Sequence, residues 1–171
     1  MTRAINDANS GWGSSFQTLD MGDMGILSFD STAGGLVGIT ANDDLMPTAY
    51  EEASTGVSST NQIGWVSNEL GGMTVSVGHT SLAKESDTSW TLQYDASSMV
   101  DGLSLGYGMA DNGTTSENET LYVKYTMGGL TVAYQDSTVN YDAAGTADED
   151  ATMFGISYAV SDDLSVSLNT S

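Results

Sequence analysis

From Trp90 onward, side chains at alternate positions belong to two different chemical populations, and this constrains the fold more than any other feature of the chain. One parity reads Trp90, Leu92, Tyr94, Ala96; Leu103, Leu105, Tyr107, Met109; Leu121, Val123, Tyr125, Met127; Leu130, Val132, Tyr134; Phe154, Ile156, Tyr158, Val160; and Leu164, Val166, Leu168. It contains no charge. The other parity reads Thr91, Gln93, Asp95; Ser104, Gly106, Gly108; Tyr122, Lys124, Thr126; Thr131, Ala133, Gln135; Met153, Gly155, Ser157; and Ser165, Ser167, Asn169. A period of two is the period of a β-strand. The same unit begins earlier, in NQIGWVSNELGGMTVSVGHT (Asn61 to Thr80), where a strand around Ile63 and Trp65 and a strand carrying Met73, Val75 and Val77 flank a tight turn. The pair reads as an antiparallel hairpin.

A soluble sandwich also alternates, but it turns large side chains onto one another and places charges on its wet face. Here the polar parity is mostly Ser, Thr, Gly, Gln and Asn, too small to make a core. An apolar face of aliphatics and aromatics beside such a polar face fits an all-β, antiparallel transmembrane barrel, with lipid outside and water inside. A Lys or Arg at the lipid midplane costs about 2–4 kcal/mol, so the barrel requires the clean apolar face that a sandwich only permits.

At 171 residues the chain can form one domain with a sizeable core. No run approaches the roughly 20 consecutive apolar residues of a membrane helix. Cysteine is absent, so no disulfide framework forms and no thiolate ligates a metal. The 23 acidic residues against three basic ones argue against nucleic acid, which needs Lys and Arg against its phosphates, and against anionic membrane surfaces. A pore lined by this chain would favour cations.

The start, MTRAINDANSGWG, holds no charged-then-apolar signal segment, as expected of a processed chain or an internal piece of a longer one. Residues Met1 to Met21 read as loop, with a weak strand near Phe16 to Leu19; Gly25 to Asp30 reads as a strand. Leu36 to Thr60, about 25 residues, has no strand pattern and carries Asp43, Asp44, Glu51 and Glu52. A loop this long in a compact protein is usually functional or disordered. Thereafter the connections alternate: short turns at Gly128-Gly129 and Asp162-Asp163, long acidic loops between. Short turns at one end and long loops at the other are the asymmetry of outer-membrane barrels.

These residues resemble the general porins of Gram-negative bacteria, of the alphaproteobacterial type, from about Gly25 to the C-terminus. The resemblance rests on NQIGWVSNELGGMTVSVGHT, similar to the porin pattern Asn-x-Ile-x-aromatic, short turn, Gly-Phe/Met-Thr-Val, and on the Leu-x-Leu-x-Tyr strands ending in MFGISYAVSDDLSVSLN. It implies a barrel of 16 strands, usually a homotrimer, in the outer membrane and in contact with its lipid, passing small hydrophilic solutes and ions without a cofactor. About nine strands are expected here, so 1–171 reads as a single porin-like domain covered in part. By order along the chain, 36–60 is similar to the external loop that folds into the lumen and narrows it. The resemblance places Asp43, Asp44, Glu51 and Glu52 at the constriction.

Each singled-out group has a plainer reading. The four carboxylates set a cation-selective field or belong to an ordinary solvated acidic loop. Asp95 and Lys124, on the lumen parity, tune permeation or pair with an adjacent strand. Trp90, Tyr107, Tyr134 and Phe154 near the loop ends, with Tyr94, Tyr125 and Tyr158 near the turn ends, form two aromatic girdles or cross-strand packing. His79, the single histidine, reads as structural. Acidic loops such as Asp148-Glu149-Asp150 offer oxygen ligands of the kind that hold Ca²⁺, but at a spacing that fits no defined calcium loop. No metal site and no enzymatic constellation emerges: the chain has no nucleophile elbow and no phosphate loop. The competing functions are a small eight-stranded membrane barrel acting as anchor or adhesin, and an acidic secreted or surface-layer β protein.

Overall fold

The computed structural model describes residues 2–5, 12–30, 37–42, 45–47, 62–81, 86–161 and 164–170. Eleven strands follow one another: β1 (Thr2–Ile5), β2 (Trp12–Asp20), β3 (Ile26–Asp30), β4 (Gln62–Val66), β5 (Met73–Ser81), β6 (Ser86–Asp95), β7 (Leu103–Asp111), β8 (Ser116–Met127), β9 (Leu130–Tyr141), β10 (Glu149–Ser161) and β11 (Leu164–Thr170). They form one sheet in sequence order, each antiparallel to the next. Two short 3₁₀ turns, Gly22–Met24 and Gly38–Asn42, are the only helical segments among the described residues. Among those residues no pairing joins β11 to β1.

The hairpin at the turn end of β4 and β5 shows how local chemistry sets the order. Leu70 and Met73 exchange backbone hydrogen bonds of 2.8 and 3.1 Å across Gly71-Gly72. Both glycines have positive φ, 61° and 85°. A two-residue turn with that backbone matches the twist of the strands it joins, and glycine adopts it without a side-chain clash.

The two parities separate as the alternation requires. Ser76, Gly78, Thr80, Ser89, Thr91, Gly108, Thr120, Gln135 and Ser137 are buried, whereas Trp90, Leu92, Leu121, Val123, Tyr134, Phe154, Tyr158, Val166 and Leu168 are exposed. Val123 is 40% exposed and Val166 55%, while Gln135 is 0%. Apolar side chains outside and amides and hydroxyls inside are the inverse of a water-soluble domain. Leu103, Leu105, Val132 and Ile156 are half-buried by their own neighbours on the outer face. They share no dry interior. This arrangement is that of a fragment of a porin-like β-barrel, its sheet not closed among the described residues.

Two differences from the expected layout have one cause. The described residues form eleven strands where the alternation marks about nine, because β1 and β2 lie in the stretch read as loop; Phe16 to Leu19 lies in the second half of β2. Strands β8, β9 and β10 also run further toward the loop end than the apolar run does. Glu119 stands opposite Met109 and Thr138, and Asp136 opposite Leu121 and Thr152, so acids expected in loops are on paired strands. Ladder hydrogen bonds continue once a strand leaves the apolar band, but there both faces meet water and the alternation vanishes from the sequence.

If the outer face meets hydrocarbon, Val123→Lys costs about 2–4 kcal/mol in a bilayer, although Val123 looks like a surface residue. Ser157→Lys, on the inner parity, is expected to change stability far less. Urea unfolding in lipid vesicles measures both; equal, small effects would contradict the assignment of faces.

Candidate functional site

Of the segment after β3, residues 37–42 and 45–47 lie on the polar face and cross it from β4 to β10. Val37 sits on Gly64 of β4: a Cβ at Gly64 would come within 2.6 Å of Val37 Cγ2. Gly38, with φ near 60°, starts the 3₁₀ turn and donates its N–H to Ser76 Oγ at 2.7 Å. Ile39 donates its N–H to Ser89 Oγ at 3.2 Å. A Cβ at Gly108 would stand 3.2 Å from Ile39 Cγ1. Met46 packs with Ala133 and Met153, and Pro47 covers Gly155, where a Cβ would lie 2.9 Å from Pro47 Cδ.

Amides hold the middle. Asn42, fully buried, accepts at Oδ1 from Gln93 Nε2 (3.0 Å), and its backbone carbonyl accepts from Gln135 Nε2 (2.6 Å). Gln135 Nε2 also reaches Thr120 Oγ1 at 3.2 Å, and Thr120 and Ser137 hydroxyls lie 3.0 Å apart. Thr40 closes the turn locally, donating its hydroxyl to the Val37 carbonyl at 2.8 Å. Asn42 Nδ2, Thr91 Oγ1 and Gln135 Oε1 are buried and have no partner among the described residues. Buried polar atoms of this kind are normally met by water, which fits a seam inside a hydrated channel.

The small residues of the inner face therefore have a second role beside leaving room for water. Gly64, Gly108 and Gly155 are where the loop backbone and its apolar side chains come closest, and Ser76 and Ser89 supply its acceptors. The sequence reading missed these contacts. Their signals are present: Val37, Ile39 and Met46 are apolar residues in a loop that has no strand pattern to explain them, and glycines recur on the inner parity of the strands.

The expected site residues divide as follows. Asp43, Asp44, Glu51 and Glu52 lie outside the described residues, although Asn42 and Leu45 on either side of the first pair belong to the segment that crosses the inner face. Asp95 and Lys124 stand on the inner parity, both opposite Ser104 and so about 10 Å apart across two strand spacings. They form no ion pair with each other. Asp95 Oδ1 accepts the Ser97 N–H at 2.9 Å and so caps the β6–β7 turn. Trp90, Tyr94, Tyr107, Tyr125, Tyr134, Phe154 and Tyr158 all stand on the outer parity, and the Trp90 and Tyr107 rings tilt together with centroids 5.7 Å apart.

His79 Nδ1 and Thr88 Oγ1, on paired outer positions, lie 2.9 Å apart. In the acidic stretch at the start of β10, Asp148 Oδ1 accepts the Tyr141 N–H (2.9 Å) and Glu149 Oε1 its hydroxyl (3.1 Å), so two of these carboxylates serve the β9–β10 connection. No group of three or more metal-ligating side chains occurs among the described residues.

A protein family described as Gram-negative porin matches residues 2–171. No curated protein matches the chain.

Removing the two serine acceptors tests the seating of the loop. Ser76→Ala with Ser89→Ala deletes two buried hydrogen bonds of about 1 kcal/mol each. Exchange of the backbone amides of Gly38 and Ile39 with deuterium is expected to accelerate roughly 10- to 30-fold, with strand amides of β8 and β9 unaffected. Unchanged exchange would mean that the serines do not hold the loop.

Proposed function

The chain belongs to the Gram-negative porins, and on that premise we propose that its polar face lines a cation-preferring channel narrowed by the loop after β3. The family places it in the outer membrane as a channel-forming protein, in contact with membrane lipid and with the solutes it passes. What supports the finer reading is one observation: residues 37–42 and 45–47 cross the inner face, and 37–42 are tied to it by hydrogen bonds with Ser76, Ser89, Gln93 and Gln135, while no apolar outer residue takes part. A segment seated there reduces the open cross-section without closing it.

Mechanism follows from the lining. Solutes diffuse down their gradients through water, meeting hydroxyls and amides that exchange hydrogen bonds readily and bind nothing tightly. No covalent or redox step is involved. The charge balance of 23 acids to three bases gives the passage a negative potential, and acids near the narrowest point act where water screens least. Asp43, Asp44, Glu51 and Glu52 are the carboxylates of this loop, and the reading assigns them the cation preference. Lys124 is a positive group on the inner parity, two strand spacings from Asp95. The outer aromatics anchor the wall at the two lipid interfaces.

The reading includes a wall completed beyond these eleven strands, as in the 16-stranded family barrel, because an open sheet edge does not persist in hydrocarbon. It also includes assembly as a homotrimer.

Planar-bilayer recording across a salt gradient tests the selectivity. Replacing Asp43 and Asp44 by Asn and Glu51 and Glu52 by Gln is expected to move the reversal potential toward that of a non-selective pore, with single-channel conductance retained. An unchanged reversal potential would remove these four carboxylates from the constriction.

A further inference from the structure

We propose that a groove on the outer face, at the turn end of β4 and β5, holds one phospholipid whose headgroup carries a primary ammonium. The groove encloses about 500 Å³. Its apolar side is made by Trp65, Leu70, Met73, Val75 and Leu92, all continuous with the face that meets hydrocarbon. Its other end carries two carboxylates, Asp23 on the short 3₁₀ turn and Glu69 in the turn before β5, both exposed. Neither has a hydrogen-bond or ion-pair partner among the described residues.

The groove is built rather than incidental. Two hydrogen bonds tie the 3₁₀ turn between β2 and β3 to the end of β4 and the connection that follows it: Trp65 Nε1 donates to the Met24 carbonyl at 2.7 Å, and Asn68 Nδ2 donates to the Gly22 carbonyl at 2.8 Å. These bonds fix the Trp65 ring as one wall and hold the two carboxylates at the same end. An apolar trough opening toward lipid and ending in unpaired anions has the polarity of an amphiphile with a cationic head.

Charge decides among occupants. A second copy of this chain would bring three basic residues in all and a net charge of −20, and one of the three, Lys124, stands on the inner parity. It therefore offers little to neutralise Asp23 and Glu69 at this groove. An ethanolamine head supplies a compact ammonium with three N–H donors, as a lysine ammonium does. A choline head carries the same charge but no donor, so it makes no hydrogen bond to a carboxylate.

The test uses the protein with Trp12 and Trp90 replaced by Phe, leaving Trp65 as the sole indole, reconstituted in vesicles containing chain-brominated phosphatidylethanolamine or chain-brominated phosphatidylcholine. Trp65 fluorescence is expected to be quenched more strongly by the ethanolamine lipid, by about two- to fivefold, the factor one exposed ion pair gives. Asp23→Asn with Glu69→Gln should abolish that preference without lowering quenching by the choline lipid. A companion protein retaining only Trp90 should show no headgroup preference. Equal quenching by the two lipids, or a preference that survives loss of both carboxylates, would overturn the proposal. So would a Trp65 that neither lipid reaches while Trp90 is quenched, because a protein neighbour would then cover the groove.

Discussion

Every backbone N–H and C=O within hydrocarbon must find a partner in the protein, since lipid offers none and each orphan costs several kcal/mol. Consecutive antiparallel pairing meets that demand for every strand between β1 and β11, whose outer edges find no strand partner among the described residues. Once the backbone is satisfied in this way, the period of two distributes side chains between two solvents. A Leu such as Leu121 and a Tyr such as Tyr122 are adjacent in sequence and yet belong to opposite faces. The rest of the architecture follows from that partition.

The inner face then meets a second demand. A segment lying across this face must be held against thermal motion without a large hydrophobic core to hold it. Here the holding is shared between small apolar contacts and amide bonds. Val37 and Met46 occupy space vacated by Gly64 and the small residues around Gly155, and Gln93 and Gln135 grip Asn42 from two different strands. Glycine on this parity has a steric purpose, because any Cβ at Gly64 or Gly155 would displace the loop.

Much of this was legible in the sequence. The fold class, the direction in which each parity faces, the hairpin at Leu70 to Met73 and the loop after β3 all follow from alternation and turn chemistry. Strands β1 and β2 were less legible, since Trp12–Asp20 mixes serine, glutamine and threonine with only a few apolar residues, and a strand held by its neighbours needs no pattern of its own. The strand extensions carrying Glu119 and Asp136 were hidden for a related reason: beyond the apolar band no solvent difference imposes alternation. The partners of the loop were not legible at all. Gln135 lies 93 residues from Asn42, and nothing in a linear reading links an amide on one strand to a carbonyl in a distant loop until the sheet brings them together.

The central claim is that successive positions of a strand meet hydrocarbon and water in turn, and the absence of native cysteine allows it to be probed cleanly. Single cysteines introduced along β8 from Leu121 to Met127, each carrying a nitroxide and reconstituted in vesicles, report accessibility to dissolved oxygen and to a water-soluble nickel chelate by their electron-spin relaxation. The account predicts oxygen maxima at 121, 123, 125 and 127 and reduced oxygen access at 122, 124 and 126, with a period of two. Oxygen and chelate accessibilities that rise and fall together, or a strand whose two parities cannot be told apart, would contradict it.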